Sequence, residues 1–248
     1  MDLGLGGKLA IITGASKGIG ATTAFTLAAE GCDVVLVARS ADGLNGVADA
    51  IEAGTGQRAR SFPADLSDPR EIDRLCTEWS NADILVNNAS AIPGGRLDEV
   101  DDAAWRNAWD LKVFGYINLT RALLPAMQKR GTGTIVNVIG AAAQIRDPSY
   151  ICGVTANAAL TAFTMSLGSD SHRHGVRVVG VSPGPVATER LQQLERDAVA
   201  SSSARPFGRA ASPDEIARAI TFLASPASSY TSGTVLTIDG GISARAAL

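Results

Sequence analysis

The sequence predicts an α/β fold: a doubly wound parallel sheet flanked by helices. Three observations carry this expectation. Short runs rich in Val, Ile and Leu alternate with longer helical patterns along the whole chain. The runs are near-continuous rather than alternating, as in strands buried on both faces. No linker, low-complexity tract or shift in composition interrupts the rhythm, so residues 1–248 read as one domain.

The elements follow in order. LAIIT at 9–13 is a strand, and the pattern from Ile19 to Glu30 is a helix closed by Gly31. DVVLVA at 33–38 is the second strand, followed by a helix near 41–53 and a short strand from Ala59 to Phe62. Ser67-Asp68-Pro69 starts a helix, with a capping side chain and then a proline early in the first turn. ILVN at 84–87 precedes a long helix over roughly 101–130, and TIVNV at 134–138 precedes another near 151–173. RVVGV at 177–181 leads to helices near 188–200 and 213–224, and TVLTI at 234–238 is the last strand.

The composition excludes several classes. With 46% hydrophobic and 19% charged residues, the chain is neither disordered nor fibrous. A net charge of -3 with no basic block gives no footprint for nucleic acid or an anionic membrane. The continuous apolar runs, such as Val34 to Ala38, are too short to span a bilayer. MDLGLGGK runs directly into the first strand without the pattern of a signal peptide, so none is expected. Cys32, Cys76 and Cys152 are odd in number and lack CxxC spacing, which fits a cytoplasmic protein without a disulfide framework or zinc site. His172 and His174 point apart at i, i+2 spacing, and no metal site is expected.

The sharpest local signal is TGASKGIG at 13–20, between the first strand and the first helix. Gly14, Gly18 and Gly20 let the backbone turn tightly and approach a pyrophosphate, and the helix start offers free N–H groups and a positive dipole end. The spacing is GxxxGxG rather than GxGxxG. Its place between strand and helix makes the chain a Rossmann-like dinucleotide binder. The second strand ends Val37-Ala38-Arg39-Ser40, without the carboxylate that bonds the ribose hydroxyls in NAD sites. Arg39 could bind a 2′-phosphate with its planar fork, and Lys17 adds a second cation. The expected cofactor is therefore NADP(H) rather than NAD(H).

These motifs, in this order, resemble the short-chain dehydrogenase/reductase family over nearly the whole chain. TGASKGIG resembles its TGxxxGxG turn, with Ser16 and Ile19 among the contacts. Asp65-Leu66 resembles its adenine-contacting pair, and Asn88 stands in a segment, NNAS, that resembles NNAG. SPGPVAT at 182–188 resembles the segment holding the nicotinamide carboxamide, with Pro183, Gly184, Val186 and Thr188 as implied contacts. PFGRAASPDEIA and SGTVLTIDGG near the C-terminus also look typical. The resemblance implies a seven-stranded parallel sheet, a small carbonyl or alcohol substrate, and a homotetramer or homodimer.

The catalytic residues implied by the family do not carry over. The family uses a Tyr, a Lys four residues later on the same helix face, a Ser thirteen residues before the Tyr, and an Asn on the preceding long helix. None of Tyr116, Tyr150 and Tyr230 has a Lys four residues on. The flanking residues place Asn157 at the Lys position, Gly153 at the Tyr position, Gly140 at the Ser position and Lys112 at the Asn position. Cation and amide have thus exchanged helices. Two readings of Lys112 stay open: an active-site cation oriented by Asn157, or a solvated helix residue that drifted. Two also stay open for Tyr150: a substitute acid swung into the space left by Gly153, or a residue packed over the helix start or facing the substrate loop. Cys152 reads as a small buried residue, since the sequence offers no histidine nearby to activate it.

The leading expectation is an NADP(H)-dependent oxidoreductase with an unorthodox proton donor. The alternatives are a non-redox lyase, hydrolase or isomerase on the same scaffold, or a catalytically silent nucleotide binder. The loop from Ala141 to Ser149 and the segment from Glu189 to Arg205, an amphipathic lid, are expected to shape a moderately apolar substrate pocket.

Overall fold

The computed structural model describes residues 2–196 and 205–245. Its centre is a seven-stranded, all-parallel sheet in the order β3-β2-β1-β4-β5-β6-β7. The strands are β1 (Leu9–Thr13), β2 (Asp33–Ala38), β3 (Ala59–Pro63), β4 (Ile84–Asn87), β5 (Gly133–Val138), β6 (Val176–Pro183) and β7 (Val235–Ile238). The chain winds outward from β1 to β3, returns to β4 and winds the other way. The crevice at the carboxyl ends of β1 and β4 is the switch point at which such sheets bind ligands.

Successive strand residues feed two cores. Ile12, Val34, Leu36, Val86, Val136 and Val179 pack beneath α1 (Gly18–Ala29), α2 (Ala41–Thr55) and α9 (Pro213–Ala224). Ile11, Val35, Leu85, Ile135 and Val178 pack beneath α3 (Pro69–Glu78) and α5 (Gly115–Arg130). Both strand faces are apolar because both are covered, and each fully buried Leu or Ile contributes about 1.5–3 kcal/mol. The expectation of two-sided burial fails at the sheet margins. β3 alternates buried and exposed residues, and β7 leaves Leu236 and Thr237 exposed, as edge strands with a neighbour on one side only.

The helix over 101–130 is not uniform. α4 (Asp102–Trp109) and α5 are joined without a break by a π-helical segment, Asp110–Phe114. α6 (Ala142–Ile145), a short turn the sequence reading missed, lies in the β5–α7 loop. α7 (Ile151–Ser171) packs on β6 and, with the 3-10 turn His172–His174, is long and apolar enough to cross a membrane by length and composition. No continuous apolar run marks it, because its apolar residues are interspersed with Thr, Ser and Asn. α8 spans Glu189–Arg196; residues 197–200 of the helix expected near 188–200, and part of the expected lid, lie outside the described residues. α10 (Ile242–Arg245) is the last described element.

Helix starts divide into two kinds. α2, α3, α4 and α9 are capped by Ser40, Asp68, Asp101 and Ser212, whose side chains accept from a first-turn N–H. α1 and α7 have no side-chain cap, and both begin at the carboxyl edge of the sheet.

Candidate active site

The glycine turn connects β1 to the uncapped start of α1. Gly14 has φ 65°, and a Cβ there would come within 2.9 Å of Asn88 Nδ2 and 3.0 Å of Ala89 Cα. A Cβ on Gly20 would overlap the Gly14 carbonyl oxygen. Only glycine lets this turn close while the N-terminus of α1 stays open to an anion. Ser16, Gly18 and Ile19 line the turn half-buried, and Lys17 is exposed.

Several expected contacts take a different part. The Asn88 amide donates to Thr13 O at 2.9 Å and Gly14 O at 3.3 Å, while its backbone N–H donates to Thr13 Oγ1 at 2.8 Å. It therefore braces the turn rather than reaching into the cleft. Leu66 is buried in the core with Phe62 and Ala64, so its side chain does not reach the cleft. Asp65 is exposed and accepts from Ser67 Oγ at 2.7 Å and Ser67 N at 3.0 Å. These bonds, with Arg39 as a smaller cause, hold its carboxyl below the usual range. Lys17 Nζ is bound to Glu189 Oε2 at 2.6 Å, tying the glycine turn to the start of α8. Arg39 is exposed at the end of β2 and makes no ion pair among the described residues.

The 182–188 segment closes the other wall. Pro183 O accepts from Ala141 N at 2.8 Å, and Gly184 N donates to Ile238 O at 3.0 Å. Val186 is buried and bridges to Ala211. Thr188 lies over the glycine turn, 3.3 Å from the position of a Cβ on Gly18.

Lys112, Gly140 and Asn157 come together just beyond β5. Lys112 sits in the π segment and is buried, 5% exposed, so its reading as a solvated residue is overturned. Its Nζ donates to Ile139 O at 2.7 Å, and it makes no hydrogen bond to Asn157. The expected orientation by Asn157 is therefore replaced by a backbone carbonyl. Burial, and then the charge of Arg190, lower its pKa from 10.5 to about 7. Asn157 is buried on α7 with its Nδ2 2.9 Å from the position of a Cβ on Gly140, and its Oδ1 has no partner. Lys112 and Asn157 thus flank the same two residues, Ile139 and Gly140, from opposite helices.

Tyr150 fills the gap left at Gly153. A Cβ on Gly153 would overlap Cε1, Cζ and Cδ1 of the Tyr150 ring. The ring packs against the cluster of Ile92, Val113 and Cys152, and residue 150 bridges to Gly95. Burial raises the Tyr150 pKa, and the Arg190 guanidinium near its hydroxyl pulls it back down. Arg190, in the first turn of α8, donates from Nη2 to Ile92 O. Sequence reasoning did not single it out; a cation two residues after the expected Thr188 contact was the available signal.

The arrangement is that of a dinucleotide-binding α/β enzyme with its site at the carboxyl edge of the sheet. A family model described as enoyl-(acyl carrier protein) reductase matches residues 14–243. The chain is 38% identical to cis-4-hydroxycyclohexanecarboxylate dehydrogenase of Sinomonas cyclohexanicum, covering 96% of this chain and 97% of that one. It is 33% identical to 7alpha-hydroxysteroid dehydrogenase of Escherichia coli strain K12, covering 97% and 96%. The crystal structure of L-sorbose reductase from Gluconobacter frateurii with NADPH and L-sorbose superposes with a TM-score of 0.89 at 32% identity, covering 98% of both chains. The chain belongs to the short-chain dehydrogenase/reductase family.

Proposed function

We propose that this protein is an NADP(H)-dependent oxidoreductase that interconverts a small carbonyl compound and its alcohol, with Tyr150 as proton donor in place of the family's tyrosine. The observation that carries the reading is the Tyr150 ring lying where a side chain on Gly153 would begin. The fit to the cofactor rests on the open start of α1, the Gly14–Gly20 cradle, Arg39, which has no ion pair among the described residues, and the buried Asn157 Oδ1, which has no partner among them. Gly14, Ser16, Gly18, Ile19, Gly20 and Thr188 would hold the phosphates and nicotinamide end, Arg39 the 2′-phosphate, and Asp65 the adenine side. When bound, the dihydronicotinamide supplies the hydride that the carbonyl carbon accepts.

Tyr150 gives its hydroxyl proton to the carbonyl oxygen as negative charge develops there. The Arg190 charge favours the resulting tyrosinate, countering the burial that opposes it. Lys112 adds a buried amine beside Ile139, and Asn157 Oδ1 would accept from a donor of the bound cofactor or substrate. The relatives named above are dehydrogenases named for hydroxy compounds, which supports the reaction class. The family's usual assembly supports a homotetramer or homodimer, which light scattering on the purified chain would reveal.

The test is NADPH consumption with a panel of cyclic, steroid and sugar ketones. Wild type is expected to oxidise NADPH with at least one, and Tyr150→Phe to lower kcat by about 100-fold or more while NADPH affinity stays unchanged. Full activity in Tyr150→Phe would exclude it as the donor. NADPH binding without turnover across the panel would favour a silent binder, and turnover without nicotinamide oxidation a non-redox enzyme.

A further inference from the structure

Arg190 enters the site from the lid side. Its Nη2 donates to Ile92 O, and its Nη1 lies 3.4 Å from Gln193 Oε1. Ile92 is fully buried in the cluster that holds Val113, Cys152 and Tyr150. The guanidinium therefore stands beside the Tyr150 hydroxyl.

Among the described residues Arg190 makes no ion pair, and the neighbouring Glu189 is engaged by Lys17. The charges acting on Lys112 and Tyr150 include Arg190 but no Asp or Glu. An incoming anion would give this half-buried guanidinium a partner. Two backbone or amide acceptors occupy part of the fork, and its remaining donors match the paired oxygens of a carboxylate.

We propose that Arg190 is a specificity-determining residue that binds a carboxylate on the substrate, so that the enzyme acts on oxo or hydroxy carboxylic acids; the word substrate here rests on the oxidoreductase reading above.

The experiment compares benzoate with benzamide, an uncharged molecule of nearly the same shape, binding to the NADP+-loaded full chain by calorimetry. Benzoate is expected to bind at least about tenfold more tightly, as for hydrogen bonds to a charged group. Arg190→Gln should abolish the preference, Arg190→Lys should retain part of it, and NADP+ affinity should be unchanged in both. Thermal unfolding of each variant confirms that it is folded. Equal binding of the two probes by wild type, binding of neither, or a preference that survives Arg190→Gln would overturn the assignment. So would loss of NADP+ affinity in Arg190→Gln with the benzoate preference intact, which would give the guanidinium to the cofactor phosphates. Failure of NADP+ to bind would count against the oxidoreductase reading alone, and the same probe pair on the unloaded chain would still decide the role of Arg190.

Discussion

Lys112 is the residue whose behaviour depends most on its surroundings. A lysine inside a protein must either find a partner for its charge or give up its proton, and this one has a carbonyl at 2.7 Å and no carboxylate. Its pKa falls from 10.5 to about 7, first through burial and then through Arg190. The unfolded chain keeps the ordinary value. Between pH 7 and 10.5 the unfolded state therefore binds a proton that the folded state lacks, and stability rises with pH across that window. Below it both states are protonated and the folded state bears the full cost of the buried charge. Lys112→Met should gain stability relative to wild type at about pH 6, with the gain shrinking steadily toward about pH 10, as read from urea unfolding midpoints. A difference independent of pH would mean that the amine is solvated. Arg39 yields a second expectation. Arg39→Asp removes the fork for a 2′-phosphate and supplies the carboxylate suited to a free ribose, so the ratio of NADPH to NADH affinity should fall by at least about tenfold. Fluorescence titration with both nucleotides measures it.

At the scale of elements, the π segment and the caps decide where these side chains point. Widening one turn at Asp110–Phe114 directs Lys112 inward to Ile139 O and Val113 into the Ile92 cluster, leaving Phe114 exposed. α9 illustrates a second control. Ser212 accepts from Glu215 N at 3.2 Å while Glu215 accepts from Ser212 N at 2.7 Å, and Arg209 grips the same carboxylate at 2.7 and 2.8 Å. Ile216 and Ile220 of this helix share a core with Ala24 and Leu27 of α1, the helix that follows the glycine turn. Ser212→Ala should cost about 1 kcal/mol in denaturant unfolding. The carboxyl of Glu215 is held down at about 2 by Arg209 and the Ser212 N–H, so its contribution is complete above the ordinary value of 4.5 and is lost as pH falls toward 2. The elements themselves were legible from the apolar runs. The π segment was not, because one extra residue in a turn leaves the helical pattern of the sequence nearly unchanged.

For the whole molecule, the reversal of winding between β1 and β4 gathers loops from distant parts of the chain at one edge. Lys17 and Glu189 meet there across the cleft, and so do Arg190 and Ile92. A dinucleotide seated in this crevice would touch the ends of several strands and bind only the folded state. At a concentration of about 100 times its Kd, NADPH should then add about 2.7 kcal/mol of stability, equivalent to a rise in Tm of roughly 5–10 °C for a chain of this size. Differential scanning measures the shift, and its absence would remove NADPH from the ligands of this fold.

The strand rhythm, the glycine turn and the exchange of an acidic residue for Arg39 were readable because each lies within a few consecutive residues and obeys local rules of backbone geometry and burial. The glycines at 140 and 153 were also visible, as missing side chains. What occupies their place was not. Burial of Lys112 on Ile139 O, the ring of Tyr150 at Gly153, the orphaned Asn157 and the arrival of Arg190 depend on contacts between helices and loops that only the folded sheet brings together. A side chain's charge and direction follow from what surrounds it, and those neighbours lie far away along the chain.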